Sequence, residues 1–534
     1  MDGNYDAIVI GGGHNGLVAA AYLAKRGAKV CVCEARDIVG GAAVSEQPFG
    51  PQYTVSSLSY VVSLLPRDII EDLDLVEHGY HVYPQGPYFA PRADGRALRM
   101  HDDANARHDA IAAFSAADAT AYEDWQEWLA ELASVLGPLV ERIPPKLGSH
   151  RIADLFGQAS LLKTVRHLNV RSAVDATKIM TASIADLVEE RFESDAMRGL
   201  LAVSGCIGTW AGPRSAGTAY VMLHHHIGES IEGQTGAWGF AQGGMGGVTQ
   251  ALARSARAFG ATIRTGSRVE RINVADGSAI GVTLANGDEL RAPTIITTAH
   301  PTISFLRLID PVELPPEFLS DIKRWKSRSG TVKINLAVDR LPTFTAHPDF
   351  DPQVHGGTIV LAESLDSIEG AYQDAVTGTA AREPFADVCI PSVFDETLAP
   401  PGEHIVSMFT QWVPHTWSAE PDADGLAAYA DRVIARMEAV APGFTSSIKH
   451  RQVIGPHEME HEYGLVGGSI FHGEMTPHQL FHGRPAAGFA DLRTPIRGLY
   501  QAGSATHGGG GVTGIPGRNV VRQIRADRRW RRRR

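Results

Sequence analysis

The stretch Tyr5-Asp6-Ala7-Ile8-Val9-Ile10-Gly11-Gly12-Gly13-His14-Asn15-Gly16 decides the fold of this chain. Its first half is a short apolar run, which is typical of a buried parallel strand. Its second half fits the pattern G-x-G-x-x-G, and a helix is predicted directly after it, over Leu17 to Arg26. A second strand, Lys29 to Cys33, ends in Glu34. This order of strand, glycines, helix, strand and acid predicts a dinucleotide-binding βαβ unit.

Each position of this unit has a physical reason. Gly11 permits the tight turn, Gly13 lets the backbone approach a pyrophosphate, and Gly16 lets helix and strand pack closely. The N-terminus of the helix offers unpaired N–H groups to the phosphates, and Glu34 is spaced to accept hydrogen bonds from a ribose. We therefore predict cofactor contacts at Gly11, Gly13, His14, Asn15, Gly16, Glu34, Ala35 and Arg36.

Two further glycine-rich segments favour FAD over NAD. Gly40 and Gly41 follow the second strand, where such a doublet lets the chain run beside the pyrophosphate and ribitol. At the far end, Arg497 to Gly503 reads as a strand, the glycine-rich run 504–517 follows it, and a helix is predicted over Arg518 to Arg525. The alternatives are an ordinary turn and a flexible loop. We predict cofactor contacts at Gly40, Gly41, Gly503, Gly511 and Val512, and at Val269, where a β-rich run returns to the cofactor.

The length of 534 residues predicts two or three intertwined domains. The predicted fold class is α/β: a discontinuous, glutathione-reductase-like Rossmann domain that binds FAD, with a second α+β domain that covers the substrate. We assign residues 1–100, 235–300 and 490–526 to the FAD-binding domain, 101–234 and 301–489 to the substrate domain, and 527–534 to a basic tail. For this tail the choice lies between a solvated, frayed terminus and a contact with anionic lipid or protein.

Composition excludes several classes of protein. The net charge of −11 argues against nucleic acid as a partner. Four cysteines do not make a disulfide framework, and we expect Cys31 and Cys33 to be core residues. There is no apolar run long enough to span a bilayer and no recognisable leader, so a cytoplasmic location is expected, with peripheral membrane contact left open.

These motifs resemble the phytoene desaturase-like family of FAD-dependent oxidoreductases. The resemblance extends over nearly the whole chain, through 13–23, 236–239, 333–342, 398–402, 467–472 and the C-terminal run to Arg518-Asn519. It implies bound FAD, a second substrate-covering domain and oxidoreductase activity. The segments listed resemble one narrower group within this family, whose eukaryotic members are mitochondrial, a location that we do not carry over to this chain. Disulfide reduction is not expected, because the sequence has neither a C-x-x-x-x-C pair nor a second dinucleotide fingerprint.

Hydride removal from a C–H or C–N bond to the flavin N5 is the expected reaction. Lys333, in an apolar strand, is a candidate for holding a water or acting as a base, and the alternative is a lysine that snorkels to the surface. His507 is a second catalytic candidate. His224, His225 and His226 are adjacent on a predicted helix and point in different directions, so we predict no metal site.

Three functions stay open at this stage. The first is a desaturase or dehydrogenase of an apolar small molecule, such as a polyene or a lipid-like compound, which an apolar tunnel in the second domain would support. The second is an amine oxidase, which would show an aromatic cage, and the third is a flavin-binding regulatory or interaction protein with little turnover. The sequence identifies neither the electron acceptor nor the oligomeric state.

Overall fold

The computed structural model describes residues 3–146, 154–155, 159, 170–228 and 237–531. Gly236, the first residue of the motif 236–239, lies outside the described residues. In chain order the strands are β1 Ala7–Ile10, β2 Val30–Cys33, β3 Ser45–Glu46, β4 Val55–Ser56, β5 Val82–Pro84, β6 Phe89–Pro91, β7 Ala97–Arg99, β8 Gly239–Ala241, β9 Thr262–Arg264, β10 Val269–Ala275, β11 Ser278–Leu284, β12 Glu289–Arg291, β13 Ile295–Thr297, β14 Thr331–Val338, β15 Thr358–Leu361, β16 Phe385–Cys389, β17 His404–Gln411, β18 Ile448–Ile454 and β19 Leu499–Gln501.

The first strand lies in the middle of a five-stranded parallel sheet of order β19-β13-β1-β2-β9. Ile8 pairs with Cys31 on one side and with Ile295 on the other. All four residues of β1 and of β2 are buried, as the apolar runs predict. The five strands come from separate parts of the sequence near residues 10, 30, 263, 296 and 500. The predicted α/β fold class with a Rossmann-type sheet is therefore confirmed.

The helices in the described part of the chain are α1 His14–Ala24, α2 Arg67–Asp72, α3 Ala104–Ala112, α4 Ala116–Glu141, α5 Val170–Thr181, α6 Ile184–Arg191, α7 Asp195–Cys206, α8 Thr218–His226, α9 Met245–Ala258, α10 Pro301–Leu306, α11 Pro316–Arg324, α12 Pro352–His355, α13 Leu365–Val376, α14 Ala423–Val440, α15 Phe444–Ser447, α16 Pro456–Tyr463 and α17 Ile515–Arg531. The cofactor-side helix α1 packs against both α9 and α17. Because Asn15 to Ala24 are all buried, α1 is held between these helices and the sheet.

A second sheet has seven strands in the order β18-β14-β17-β16-β15-β6-β7. Its pairs are antiparallel except for β15 and β6. Strand β14 pairs with β17 and β18 and is buried along all eight residues. The apolar core beneath this sheet is shared with helices α4, α6, α7 and α8. This layer covers the carboxyl ends of the parallel strands.

The C-terminal end of the chain differs from the prediction. Helix α17 begins at Ile515, inside the glycine-rich run, and continues to Arg531. Asp527 accepts a hydrogen bond of 2.6 Å from Arg493 and one of 2.9 Å from Tyr500. The start of the predicted basic tail, up to Arg531, therefore belongs to helix α17, and residues 532–534 lie outside the described part of the chain. Among the described residues no helix could cross a membrane.

Candidate functional site

The glycine turn between β1 and α1 opens onto a cavity of about 270 Å³, called here the front cavity. Gly11 adopts φ +100°, which a residue with a Cβ rarely does. A Cβ on Gly16 would lie 2.1 Å from the Gly11 carbonyl oxygen, so the close packing of helix and strand requires glycine. A Cβ on Gly13 would have 3.9 Å to its nearest neighbour, the Gly40 carbonyl oxygen. The space in front of Gly13 is therefore open to a ligand.

The N-terminus of α1 is built to receive an anion. The helix begins after Gly13 with no side-chain cap and no acidic residue in its first turn. Its first N–H groups have no acceptor within the helix, and the helix dipole adds positive charge there. On the other side of the turn, the Gly40 amide donates to the Gly12 carbonyl oxygen at 2.9 Å, and Gly41 has φ +58°. Turn and doublet form one backbone cradle.

Glu34, at the end of β2, lies on the wall of the front cavity. Its Oε2 accepts from the Gly12 amide at 2.7 Å, and its Oε1 accepts from the Arg36 amide at 2.9 Å. Two backbone donors thus fix the carboxylate, which has further lone pairs for a ribose hydroxyl pair. This is the position that the spacing after β2 predicts.

The C-terminal segment reaches the same cavity, where Ser504, Gly511 and Val512 line the wall. The Asn15 amide donates to the Ser504 hydroxyl at 3.4 Å, so the two ends of the chain are in contact. Val512 has φ +60°, which is rare for a β-branched residue and costs about 1–3 kcal/mol. Such strain is concentrated at ligand-binding segments.

Most of the remaining wall is apolar or aromatic. Its members are Leu58, Val61, Leu64, Ile207, Ile303, Leu465 and Ile470, with the rings of Tyr60, Trp238, Phe409, Tyr463 and Phe471. The Tyr60 and Phe409 rings stack with centroids 5.9 Å apart. Among the described residues of this wall, Glu34 carries the one acidic side chain and there is no lysine or arginine. The cavity therefore suits an apolar molecule beside a polar cofactor.

Four histidines line the front cavity: His14, His225, His300 and His472. Burial lowers the pKa of His14 and of His225 to about 3 and that of His472 to about 4. It also holds the pKa of His300 well below the usual value. All four rings are therefore neutral at pH 7, and they add hydrogen-bonding capacity without positive charge.

Several buried polar atoms on this wall have no partner within the described part of the chain. They are His14 Nε2, Asn15 Oδ1, Ser63 Oγ and His472 Nδ1. Buried polar groups are almost always satisfied, so this concentration in one cavity points to a polar ligand. The open cradle at Gly13, the fixed Glu34 carboxylate and these donors and acceptors together fit FAD.

Lys333 lies behind the wall rather than on it. Its side chain is buried, which shows that the alternative of a lysine snorkelling to the surface was wrong. Nζ donates to Asn335 Oδ1 at 3.1 Å and to the Ser407 hydroxyl, and lies 4.9 Å from the centroid of the Tyr60 ring. Burial lowers the pKa of Lys333 to about 7. The Tyr60 hydroxyl in turn donates to Asp387 Oδ2 at 2.9 Å. Lys333 is therefore linked to the front cavity through Tyr60, which lines it.

The other predicted residues lie close to the cradle. Ala35 is exposed directly after Glu34, and Arg36 pairs with Glu46 at 2.5 Å beneath the Tyr463 ring. Val269 begins β10, two residues after Ser267, whose amide donates to the Glu34 carbonyl oxygen at 2.7 Å.

Gly503 and His507 belong to the C-terminal run. A Cβ on Gly503 would lie 2.6 Å from the Thr298 carbonyl oxygen, so this glycine allows two strand ends to approach. His507 is bonded through Nε2 to the Leu139 carbonyl at 3.0 Å. It does not line the front cavity, and burial lowers its pKa to about 4.

The three adjacent histidines bond to three different carbonyls, of Gly510 for His224, Ser204 for His225 and Met222 for His226. No group of residues in the described part of the chain could hold a metal ion. Cys31 and Cys33 are free and buried, as predicted.

Sequence reasoning missed most of the apolar wall and three of its histidines. These residues come from loops and element ends far apart in the chain, which no local pattern connects. Two motifs quoted for the family resemblance carry part of the signal, since Trp238 lies in 236–239 and Ile470, Phe471 and His472 lie in 467–472.

Comparison with known proteins agrees with this geometry. Residues 16–517 match the family of flavin-containing amine oxidoreductases. The chain is 38% identical to the mouse pyridine nucleotide-disulfide oxidoreductase domain-containing protein 2, over 98% of this chain and 94% of that protein. It is 26% identical to one of the polypeptides of limonene dehydrogenase from Castellaniella defragrans, over 98% and 94% of the two chains. The structure of cyclohexylamine oxidase from Brevibacterium oxydans shares the fold, with a TM-score of 0.58, 18% identity, and coverage of 98% and 99%.

Proposed function

Because this chain belongs to the family of flavin-containing amine oxidoreductases, we propose that it is an FAD-dependent dehydrogenase of an apolar substrate. The observation that carries this proposal is the wall of the front cavity, most of whose side chains beyond the glycine cradle are aliphatic or aromatic, with no lysine, no arginine and one carboxylate among the described lining residues. A cationic amine would meet one acidic side chain there, Glu34, which two backbone amides already engage. An uncharged, hydrocarbon-like molecule enters this space without the free-energy cost of removing water from a charged group.

In this proposal, different residues of the cradle contact different parts of FAD. Gly11, Gly13 and the N-terminus of α1 would hold the diphosphate, Glu34 would hold the adenosine ribose, and Gly40 and Gly41 would flank the chain that follows. The segment around Gly511 and Val512 would face the flavin, and Val269 would face the adenine. FAD, when bound, supplies a two-electron acceptor for hydrogen leaving a carbon atom.

The side chains of the protein contribute to the reaction by positioning the substrate and by keeping water out of the cavity. The aliphatic side chains and rings of the wall exclude water and hold the substrate against the cofactor. Tyr60 lines the cavity, and its hydroxyl donates to the buried carboxylate of Asp387. It therefore connects the apolar wall to the buried polar side chains of Asp387 and Lys333. Lys333 acts through Tyr60 as a positioning residue. We assign no catalytic role to His507, whose ring is engaged by the Leu139 carbonyl.

An amine oxidase is the second candidate, and the stacked rings of Tyr60 and Phe409 favour it. The relatives include both kinds of enzyme, a limonene dehydrogenase and a cyclohexylamine oxidase. The finer assignment to the phytoene desaturase-like branch rests on the motifs of the sequence. We place the protein in the cytoplasm because its four cysteines are free and buried, and we leave the electron acceptor and peripheral membrane contact open.

Anaerobic reduction of the bound flavin tests the proposal. The purified holoenzyme is mixed without oxygen with limonene, with a linear polyene, and separately with cyclohexylamine, and the visible flavin band is followed. Bleaching by the hydrocarbons and not by the amine is the expected result. Bleaching by the amine alone would overturn the proposal in favour of the second candidate. A flavin that no compound bleaches would overturn it in favour of a protein that binds FAD without turnover.

A further inference from the structure

Behind the front cavity lies a second cavity of about 360 Å³, called here the rear cavity. Helices α4, α7 and α8 and the seven-stranded sheet enclose it. Most of its wall is apolar, with Trp125, Leu129, Leu200 and Met222 among its members. The proposed reaction in the front cavity does not use this space.

The two cavities share a wall. Ile207 lines both of them. Beside it, Tyr60 lines the front cavity, Asp387 lines the rear cavity, and the two are joined by the 2.9 Å hydrogen bond. A molecule that occupied both cavities would have to pass Ile207 and the Tyr60–Asp387 pair.

Asp387 is unusual for the wall of an apolar cavity. Its side chain is 5% exposed, and one oxygen, Oδ1, has no hydrogen-bond partner in the described part of the chain. A buried acceptor without a partner costs about 1–3 kcal/mol, so such an atom is expected to meet a donor when the protein works. Tyr88, Gln126 and His226 also line this cavity and give it a polar region.

The charges around Asp387 favour a neutral donor. Burial raises the pKa of Asp387 to about 6 and lowers that of the nearby Lys333 to about 7. Burial lowers the pKa of His226 as well, so that its ring adds no charge. The charged form of Lys333, which interacts electrostatically with Asp387, would repel a second cation there, whereas a hydroxyl group would complete the hydrogen bonding of Asp387 without adding charge.

We propose that the rear cavity binds the far end of the substrate, that this end carries a hydroxyl group, and that the hydroxyl donates to Asp387 Oδ1. The substrate class is therefore a long apolar alcohol whose reacting carbon lies in the front cavity. This inference rests on the proposed function, because that function places the reaction in the front cavity.

Calorimetric binding of small probes tests the inference without any readout from the flavin. The purified full chain is titrated with 1-decanol, with its methyl ether, which lacks the donor, and with decylamine. Decanol is expected to bind about tenfold more tightly than the ether, as one buried hydrogen bond implies. Equal binding of alcohol and ether, or tighter binding of the amine, would overturn the inference even if hydrocarbons bleach the flavin.

Two variants assign the effect to Asp387. Asp387→Leu is expected to abolish the preference for the alcohol, whereas Asp349→Asn, at an exposed loop aspartate, is expected to keep it. If the leucine variant fails to fold, Asp387→Asn replaces it, because asparagine keeps the shape of the side chain. Its amide N–H donates to the oxygen of the alcohol and of the ether alike, so the preference for the alcohol is again expected to be lost. A preference that survives in the variant that folds would place the probe elsewhere and refute the assignment. If the preference depends on Asp387 but no hydrocarbon bleaches the flavin, the proposed function fails and the binding site stands.

Discussion

Replacing Lys333 with methionine should change how the stability of the protein depends on pH. The folded chain lowers the pKa of Lys333 from the ordinary 10.5 to about 7, because burial disfavours the charged form. Below pH 7 the lysine is protonated in both states, and the folded state carries the full cost of a buried charge. As the pH rises from 7 towards 10.5, only the unfolded chain keeps the proton, so this cost is lost and stability increases.

The size of the effect follows from these two values. Each pKa unit by which the folded and unfolded chains differ corresponds to about 1.4 kcal/mol. The free-energy cost of the buried charge on Lys333 is therefore about 5 kcal/mol as an upper bound. Methionine has a similar length and no charge, and it removes this cost. Its neighbours keep a partner, since the Ser407 hydroxyl donates to Asn335 Oδ1 at 3.4 Å. Lys333→Met should therefore be more stable than the parent near neutral pH, and the two should converge at high pH.

Urea unfolding of both proteins over this pH range measures the difference. The free energy of unfolding of the parent should rise relative to that of Lys333→Met by about 1.4 kcal/mol for each pH unit. Exchange of the exposed Lys323 for methionine is the matched control and should leave the slope unchanged. Parallel pH profiles for the parent and Lys333→Met would refute the view that burial lowers the pKa of Lys333 to about 7 in the folded chain.

Three further substitutions test the cradle and its support. Gly13→Val should leave the fold intact and lower the amount of FAD retained per chain, because the valine side chain fills the open space of the cradle. The control is Gly370→Val, where a Cβ would have no atom within 4 Å. Equal FAD content in the two variants would contradict the assignment of this space to the cofactor. Glu34→Leu should destabilise the chain by about 2–4 kcal/mol in urea, since two backbone amides lose their acceptor; an unchanged midpoint would contradict the hydrogen bonds described. Arg484 is buried behind the C-terminal wall of the front cavity, and its guanidinium donates to the backbone carbonyls of Phe471, Gln479, Ser504 and Thr506. Arg484→Met should therefore cost about 3 kcal/mol or more, and a loss below 1 kcal/mol would show that these bonds contribute little.

The sequence predicted the part of the site that local chain geometry determines. The turn at Gly11, the close packing at Gly16 and the carboxylate at Glu34 depend on residues within one βαβ unit, so their spacing carries the information. The approach of Gly511 and Val512 to this unit was also predicted, although the helix that follows them starts three residues earlier and ends six residues later than expected.

The apolar wall could not be predicted in the same way. Leu64, Ile207, Phe409 and Ile470 meet only because the seven-stranded sheet and its helices cover the carboxyl ends of the parallel strands. The burial of Lys333 has the same origin, since an apolar strand with one lysine is compatible with an edge or a central position. Only the pairing of β14 on both sides distinguishes the two.

Identification of the chromophore tests the central claim most directly. The protein is purified, its visible spectrum is recorded, and the chromophore is released by heat and identified by chromatography. Flavin bands in the native protein and free FAD after denaturation, at close to one FAD per chain, are the predicted result. A colourless protein that cannot be reconstituted with FAD would contradict the claim that the glycine cradle and the C-terminal segment hold this cofactor.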